Sequence, residues 1–315
     1  MIDNGAALGM LALGSKLRTG MTDEAVRMAF HAANKELVDC VDRRYGARGQ
    51  CLPFHNKRHT VGVRRRTNRI PRAMGLPEIE RLCAALAAAG HDVVQVWWCD
   101  DGVRYSCIRT RDASGRPERL SAEQIRATAY AHGVRVPERL QGVVFGQAFA
   151  VTEPSWDIEV KTVMQPHLFH DTHPIACAVA LADLNGVGME GSAAAEDTRR
   201  FFCELYPGSV ERRDHVHMLA WLVWQRGFVL ARKERLEIEL GNLNGPARDR
   251  VVGLFTHFNA SYARLDRLPC MLDQWPYADL YAWYAAGISK RQQGVMPSTY
   301  MALGIPEHLD VSTYI

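Results

Sequence analysis

Histidine and aspartate side chains occur at three places in this 315-residue chain where they could hold a divalent metal ion. His55 and His59 are four residues apart, so a helix would place both on one face. His91 and Asp92 are adjacent and offer a nitrogen and an oxygen ligand side by side. Asp183 stands alone between apolar residues, where a buried carboxylate is costly unless a cation or a hydrogen bond compensates it.

Each of these segments also has an ordinary structural explanation. A histidine pair at helical spacing is often a solvated face or a hydrogen-bonded core pair, and a buried Asp can cap a neighbouring helix. Their occurrence together favours a metal site. Two imidazoles and two carboxylates without a thiolate suit zinc, manganese, iron, cobalt, nickel or magnesium, and this donor set does not choose among them.

The ordered set of motifs resembles the HD-domain superfamily of metal-dependent phosphohydrolases, whose cyclic nucleotide phosphodiesterase branch shares the HNxxH element. The motifs are His55-Asn56-Lys57-Arg58-His59, His91-Asp92, Ile125 to Thr128, and Ala182-Asp183-Leu184 followed by Gly186 and Gly188. The resemblance implies that His59, His91, Asp92 and Asp183 bind one metal ion. It also implies that Asp92 orients the nucleophile, that His55 donates a proton, and that the fold is an all-α bundle around the metal.

The chain departs from the family pattern directly after Asp92. Many relatives continue with a further histidine or a downstream His-Glu pair, whereas this chain continues with Val93, Val94 and Gln95. A second metal site is therefore an open question. The candidates for a second metal or for substrate contact are His132, His167 and His170, and the alternative for the last two, with His173, is a histidine-rich surface loop.

The function that the resemblance implies is hydrolysis of a phosphomonoester or phosphodiester in a nucleotide or another small phosphorylated metabolite, through a metal-activated water. Lys57, Arg58 and Arg226 are candidates for binding the phosphate, because cationic side chains form charge-assisted hydrogen bonds with its oxygens. The triplet from Arg64 to Arg66 could do the same or form a solvated helix face. Two other functions stay open: an inactive HD-fold binding or regulatory module, and a di-iron HD-type oxygenase, which needs a second metal.

Composition limits the classes of partner. The 38 basic and 35 acidic residues nearly balance, so no overall field calls for nucleic acid or an anionic membrane. The eight cysteines are scattered without a CxxC pair, which favours free thiols in a reducing compartment. We therefore expect a cytoplasmic protein that acts on a small molecule, with no membrane or nucleic-acid partner. Oligomeric state is not indicated.

Apolar periodicity predicts a mostly helical chain. The segment from Val93 to Arg119 differs, because apolar runs flank Asp100-Asp101-Gly102 and favour a small hairpin. The predicted fold class is all-α: an HD-domain helical bundle with this inserted hairpin and a helical C-terminal extension. The predicted units are an N-terminal extension (1–48), the metal-dependent hydrolase domain (49–262, with an insertion at about 93–119) and an accessory tail (263–315). The predicted helices are Ala25–Val41 with Thr22 as cap, His55–Arg69 ending before Pro71, Glu78–Gly90, Ser121–Ala131, Ile158–Leu168, Ile175–Leu184, Ala193–Leu205, His215–Leu240 and Arg248–Tyr262.

Overall fold

The computed structural model describes residues 23–46, 52–99, 109–111, 114–153, 155–157, 162–169, 171–191, 193–211, 213–241, 243–272 and 284. The fold is all-α, as predicted. The helices are α1 (Asp23–Tyr45), α2 (Lys57–Met74), α3 (Glu78–Gly90), α4 (Arg116–Ala131), α5 (Glu138–Gly142), α6 (Ala148–Ala150), α7 (Pro174–Leu184), α8 (Gly186–Met189), α9 (Ala193–Leu205), α10 (Pro207–Glu211), α11 (His215–Glu239), α12 (Gly245–Val252) and α13 (Phe258–Leu272). A π-helical turn, Val143–Gln147, joins α5 to α6.

Two short antiparallel hairpins interrupt the helices. Strand β1 (Trp97–Cys99) pairs with β2 (Arg109–Arg111), with Trp98 opposite Thr110. This pair lies within the predicted insertion, although its turn residues Asp100, Asp101 and Gly102 lie outside the described residues. Strand β3 (Ser155–Asp157) pairs with β4 (Thr162–Met164).

Three helices form the centre of the bundle. Helix α3 packs against α2 and α7, and α2 also packs against α7. Both α3 and α7 are rich in alanine and buried on nearly every side, from Cys83 to Gly90 and from Ile175 to Ala182. Small side chains let helix axes approach closely, and helices that are apolar all round belong in a core. This close packing brings the ends of α3 and α7 beside α2.

Helix α2 is defined by its caps. The side chain of Asn56 accepts a hydrogen bond from the backbone N–H of Arg58 at 2.9 Å, which satisfies an otherwise unpaired donor in the first turn. At the other end Gly75 adopts φ +79°, a left-handed conformation that ends the helix. The prediction that this helix ends before Pro71 was wrong. Pro71 lies in the last turn, where the helix continues to Met74.

Two other predicted helices differ from the structure. The predicted helix over Ile158–Leu168 was wrong, because Thr162–Met164 is a strand. Apolar and polar residues alternate over only a few positions in this segment. So short a pattern fits the 3.6-residue period of a helix as well as the two-residue period of a strand. The predicted helix over Arg248–Tyr262 is two helices, α12 and α13, separated by a turn that begins at Gly253. The predicted cap Thr22 lies outside the described residues.

The described elements share one hydrophobic core. Helix α1 contributes Phe30, Ala33 and Leu37 to it, together with residues of α3, α7 and α11. Helix α13 crosses the predicted boundary at residue 262. In the described part of the chain, no helix combines the length and apolar character that crossing a lipid bilayer requires.

Candidate metal centre

Four side chains from α2, the end of α3 and α7 converge inside the bundle. The Nε2 atom of His59 lies 3.3 Å from Nε2 of His91, 3.2 Å from Oδ2 of Asp92 and 3.2 Å from Oδ1 of Asp183. Nε2 of His91 lies 3.0 Å from the same Asp92 oxygen and 3.5 Å from the same Asp183 oxygen. One ligand atom from each residue falls within 4.8 Å of the others. We call these residues the four-residue cluster.

The spacing within the cluster fits the coordination sphere of one divalent ion. Nitrogen and carboxylate ligands bind zinc at about 2.0–2.2 Å, which puts tetrahedrally arranged ligand atoms about 3.3 Å apart. The separations of 3.0 to 3.5 Å lie around that value. The cluster could therefore hold a metal ion, and these are the four ligands that the sequence predicts. The donor set does not identify the metal.

Neighbouring groups orient two of the ligands. The Nδ1 atom of His91 hydrogen-bonds with the backbone carbonyl of Ala88 at 2.9 Å. A carbonyl oxygen can only accept a hydrogen bond, so Nδ1 must be the donor and carries a ring proton. This contact turns Nε2 towards the cluster. Gln95 donates from Nε2 to Oδ1 of Asp92 at 2.7 Å, which leaves Oδ2 towards the imidazoles. Gln95 is itself held by Tyr45, whose hydroxyl accepts from its backbone N–H.

Close packing fixes the end of α3. Gly90 precedes the His-Asp pair, and a Cβ atom there would lie 2.2 Å from Cγ1 of the fully buried Ile125 in α4. Only glycine allows this approach. The predicted motif beginning at Ile125 therefore has a packing role, since it sets where His91 and Asp92 lie.

Arg66 fixes the end of α7. This buried arginine of α2 donates from Nε to the backbone carbonyl of Ala182 at 2.5 Å, next to Asp183, and pairs with Glu190 at 3.1 Å. A cation at a helix C-terminus satisfies carbonyls that lack helical partners. A Cβ atom at Gly186 would lie 2.9 Å from Cζ of Arg66, which explains this glycine of the predicted motif.

The ionisation of the cluster follows from its pairing. Burial alone lowers the pKa of His59, but hydrogen bonds with Asp183 and Asp92 raise it overall. Although burial also lowers the pKa of His91, attraction to Asp92 raises it well above the ordinary value. Burial tends to raise the pKa of both aspartates, yet the neighbouring imidazoles hold each below its usual range. Protonated imidazoles thus face ionised carboxylates, and a divalent ion would replace both imidazole protons without changing the net charge.

His55 lies beside the cluster and is held by Glu204. Its ring is 5.6 Å from that of His59, measured between centroids, and its charge contributes to lowering the pKa of Asp92. The Nδ1 atom of His55 contacts Oε1 of Glu204 in a short hydrogen bond. The other oxygen of Glu204 accepts from the backbone N–H groups of Phe54 and His55 at 2.7 and 2.9 Å. This fully buried carboxylate therefore fixes both the backbone and the ring at position 55.

Sequence reasoning missed Glu204. Its signal was present in Phe201-Phe202-Cys203-Glu204-Leu205, a lone carboxylate among apolar residues in a helix. The same pattern identified Asp183 as a residue that needs a partner. What the sequence did not indicate is that the partner would be His55, at a separation of 149 residues.

The remaining predicted residues lie apart from the four-residue cluster. His132 follows α4, and His167 is half exposed with Nε2 3.8 Å from Glu153. Neither is in a group of potential metal ligands, and His170 lies outside the described residues. A second site that uses these histidines stays a prediction. Arg226 forms a short ion pair with Asp266 of α13.

A wide groove of about 1100 Å³ adjoins the cluster through His59, which forms part of its wall. Its acidic lining residues are Glu190 and Asp197, and we name it the basic groove after the cations that line it. These are Lys57, Arg58, Arg65, Arg66, Arg69 and Arg264. The predicted phosphate ligands Lys57 and Arg58 thus lie in the groove, whereas Arg226 is not among its lining residues. The volume suits a ligand of nucleotide size.

Comparisons of the chain with protein-family models, curated proteins and solved structures gave no significant match. Membership of the HD-domain superfamily stays a prediction from the sequence motifs. The molecule itself presents a buried cluster of two imidazoles and two carboxylates that could hold a metal, a carboxylate-bound histidine beside it, and an adjoining basic groove.

Proposed function

We propose that this protein is a metal-dependent phosphohydrolase that acts on a nucleotide or another small phosphorylated metabolite. The observation that carries the proposal is the convergence of His59, His91, Asp92 and Asp183 in one cluster, of which His59 also lines the basic groove. Metal ligands and phosphate-binding cations then lie side by side. A divalent ion held there would supply a Lewis acid and lower the pKa of a bound water.

The side chains around the cluster have defined roles in this proposal. Asp92 would bind the metal ion through Oδ2. Gln95 donates a hydrogen bond to Oδ1 and so fixes the carboxylate, which orients the nucleophile. His55 donates a proton to the departing ester oxygen. Because Glu204 engages Nδ1, the transfer uses Nε2 of the same ring. The HD-domain resemblance assigns the same two roles to Asp92 and His55.

Arg58 is the groove cation next in sequence to a ligand, His59. Its guanidinium contacts Glu196 at 2.8 Å and remains half exposed, so it can turn to a substrate phosphate. Lys57 also lines the groove and is paired with Asp42 at 3.2 Å. Because six cations and two carboxylates among the described residues line the groove, a phosphorylated substrate is favoured over a neutral one.

Two variants test the proposal. The purified full-length protein should contain a divalent metal and should release phosphate, or open a phosphodiester, only when that metal is present. Asp92→Ala should lose both the metal and the activity. His55→Ala should keep the metal but lose about 10²–10⁴-fold in kcat, the usual contribution of a general acid. Metal analysis and a panel of phosphomonoesters and phosphodiesters give both readouts.

The outcomes separate the competing functions. Full activity in Asp92→Ala would disprove the proposal. Tight nucleotide binding without turnover would favour the inactive binding module. A di-iron oxygenase would require two metal ions per chain, whereas the described residues contain one group of potential ligands.

A further inference from the structure

The basic groove carries more positive charge than the reacting phosphate at the cluster would need. The excess of positive charge is seen first at Glu190, because this one carboxylate pairs with two arginines of α2. Its carboxylate lies 2.8 Å from Arg65 and 3.1 Å from Arg66. Arg66 is buried and also bonded to Ala182, so its position is fixed by the fold. Arg65 is two-thirds exposed along the groove.

Glu196, which contacts the groove cation Arg58, shows the same imbalance beside the groove. It pairs with Arg58 at 2.8 Å, with Arg200 at 2.5 Å, and with Arg199 in a shorter contact. One carboxylate therefore serves three guanidinium groups. Guanidinium groups that lie so close together repel one another unless an anion lies between them.

Two further cations have no carboxylate partner in the described part of the chain. Arg69 is exposed on α2, and Arg264 of α13 donates to the neutral carbonyl of Gly191 at 3.2 Å. They lie on different helices, and both line the groove. Its two walls therefore offer guanidinium groups whose charge is not balanced.

The cations on α2 lie at a helical spacing. Arg58, Arg65 and Arg69 are seven and four residues apart, so they fall on one face of the helix. At a rise of about 1.5 Å per residue, Arg65 is about 9 Å and Arg69 about 15 Å along the axis from His59. A phosphate at the four-residue cluster cannot reach Arg65 and Arg69 as well as Arg58. An anion further along the groove could contact Arg65 and Arg69.

We propose that the distal part of the basic groove, formed by Arg65, Arg69 and Arg264, binds a second phosphate of the substrate, which is a small metabolite carrying two or more phosphate groups. The inference rests on the proposed function for the identity of the first phosphate. Among the described residues, the groove lining contains no phenyl, phenol or indole ring, and His257 is its one imidazole apart from the cluster residue His59. The groove therefore suits a phosphate chain better than a single-stranded nucleic acid.

The test uses the full-length protein with inorganic phosphate and inorganic tripolyphosphate as probes in isothermal titration calorimetry. The variant is Arg65→Gln with Arg69→Gln. The matched control is Arg119→Gln with Arg135→Gln, which removes the same charge at two exposed arginines outside the groove. Both proteins keep the four cluster ligands, so any binding of tripolyphosphate to the metal contributes equally.

We expect the groove variant to bind tripolyphosphate at least about tenfold more weakly than the control, since hydrogen bonds to charged groups are strong. Binding of single phosphate should change little. Arg264→Gln, on the opposite wall, should weaken tripolyphosphate binding in the same direction. Equal affinity of the groove variant and the control for tripolyphosphate would overturn the proposal.

Two additional readouts keep the proposals separable. Tripolyphosphate binding that depends on Arg65 and Arg69, together with no metal-dependent hydrolysis of any phosphomonoester or phosphodiester in the panel, supports the groove and defeats the phosphohydrolase. Hydrolysis with equal tripolyphosphate binding in the variant and control defeats the groove alone. A short single-stranded oligonucleotide that binds more tightly than tripolyphosphate, and loses affinity in the groove variant, would overturn the assignment to a small metabolite.

Discussion

Two buried clusters of charged side chains lie beside the C-terminal end of α7, and they differ in what they need. One is the four-residue cluster, which includes Asp183. The other joins Arg232 and Glu239 of α11 to Asn185, at the residue after α7. Both are removed from solvent, since Arg232, Glu239 and Asn185 are each no more than 2% exposed. Burial of charge therefore does not distinguish a candidate site from a structural contact.

The direction of the hydrogen bonds does distinguish them. Arg232 donates from Nη2 to both oxygens of Glu239 at 2.8 and 2.7 Å and from Nε to Asn185 at 2.9 Å, so these two nitrogens face acceptors, while Nη1 has no hydrogen-bond partner among the described residues. In the four-residue cluster, two ring nitrogens and two carboxylate oxygens converge on one point, and all four are acceptors unless the imidazoles are protonated. They need protons or a cation between them. The first arrangement is therefore an internal ion pair, whereas the second could hold a metal ion in place of its protons.

The largest expected effect comes from Asp183→Asn, which breaks the four-residue cluster alone. The amide has no charge to attract a cation, so we expect the bound metal and the phosphohydrolase activity to fall below detection. The fold should remain, because the backbone at this position is held by Arg66 on Ala182. Metal analysis, activity and circular dichroism measure the three quantities. Asp249→Asn, at an exposed position of α12, is the control. Retention of stoichiometric metal in Asp183→Asn would remove the distinction between the clusters.

The second-largest effect concerns the Arg232 cluster, where we expect the stability to fall and the metal content to stay the same. Glu239→Gln leaves a buried guanidinium without its counter-charge, and we expect a loss of about 3–5 kcal/mol in the free energy of unfolding. The metal content of the folded fraction should not change. Arg232→Met combined with Glu239→Leu removes both charges and should be much less destabilising than the single variant. Urea denaturation compares them. If the double variant is as unstable as Glu239→Gln, the loss of the counter-charge of Arg232 does not explain the destabilisation.

The sequence indicated the members of the four-residue cluster because their signals are local. Helix α3 begins at Glu78 and ends at Gly90, as apolar periodicity predicted, and it delivers the His-Asp pair at its end. A lone aspartate in an apolar helix required a partner wherever the helix packed. Local patterns thus marked each residue as a candidate, and the resemblance to the HD-domain superfamily grouped the four, but the geometry of the cluster depends on how α2, α3 and α7 pack.

Features that depend on distant contacts were not predicted. Glu204 becomes meaningful only when α9 packs beside His55, and no local pattern pairs two residues so far apart. The basic groove likewise needs Arg264 of α13 opposite α2. Strand β4 lies in a segment that was predicted as helix, because a segment this short does not fix its period. Such features follow from tertiary packing.

The smallest expected effect is a dependence on pH that belongs to the four-residue cluster alone. The folded-state pKa values of His59 and His91 lie above the ordinary value of 6.5, so their pairing stabilises the metal-free fold below that pH. This contribution is lost as the pH rises through the folded-state values. The pKa values of Asp92 and Asp183 lie below the ordinary 3.8, so their contribution is present above that pH and is lost as the pH falls through the folded-state values.

Metal binding reverses the first trend, because the ion must displace the imidazole protons. We expect the metal-free protein to lose stability as the pH rises above about 6.5 and through the folded-state pKa values, while the stabilisation that added metal provides increases over the same range. Thermal unfolding with and without metal measures both slopes. The guanidinium of Arg232 keeps its proton at these pH values, so its cluster adds no such term. Asp183→Asn, which lacks the metal, should show no metal-dependent slope. A metal-induced shift that is constant across this pH range would mean that the ion binds without releasing imidazole protons, and hence away from these histidines.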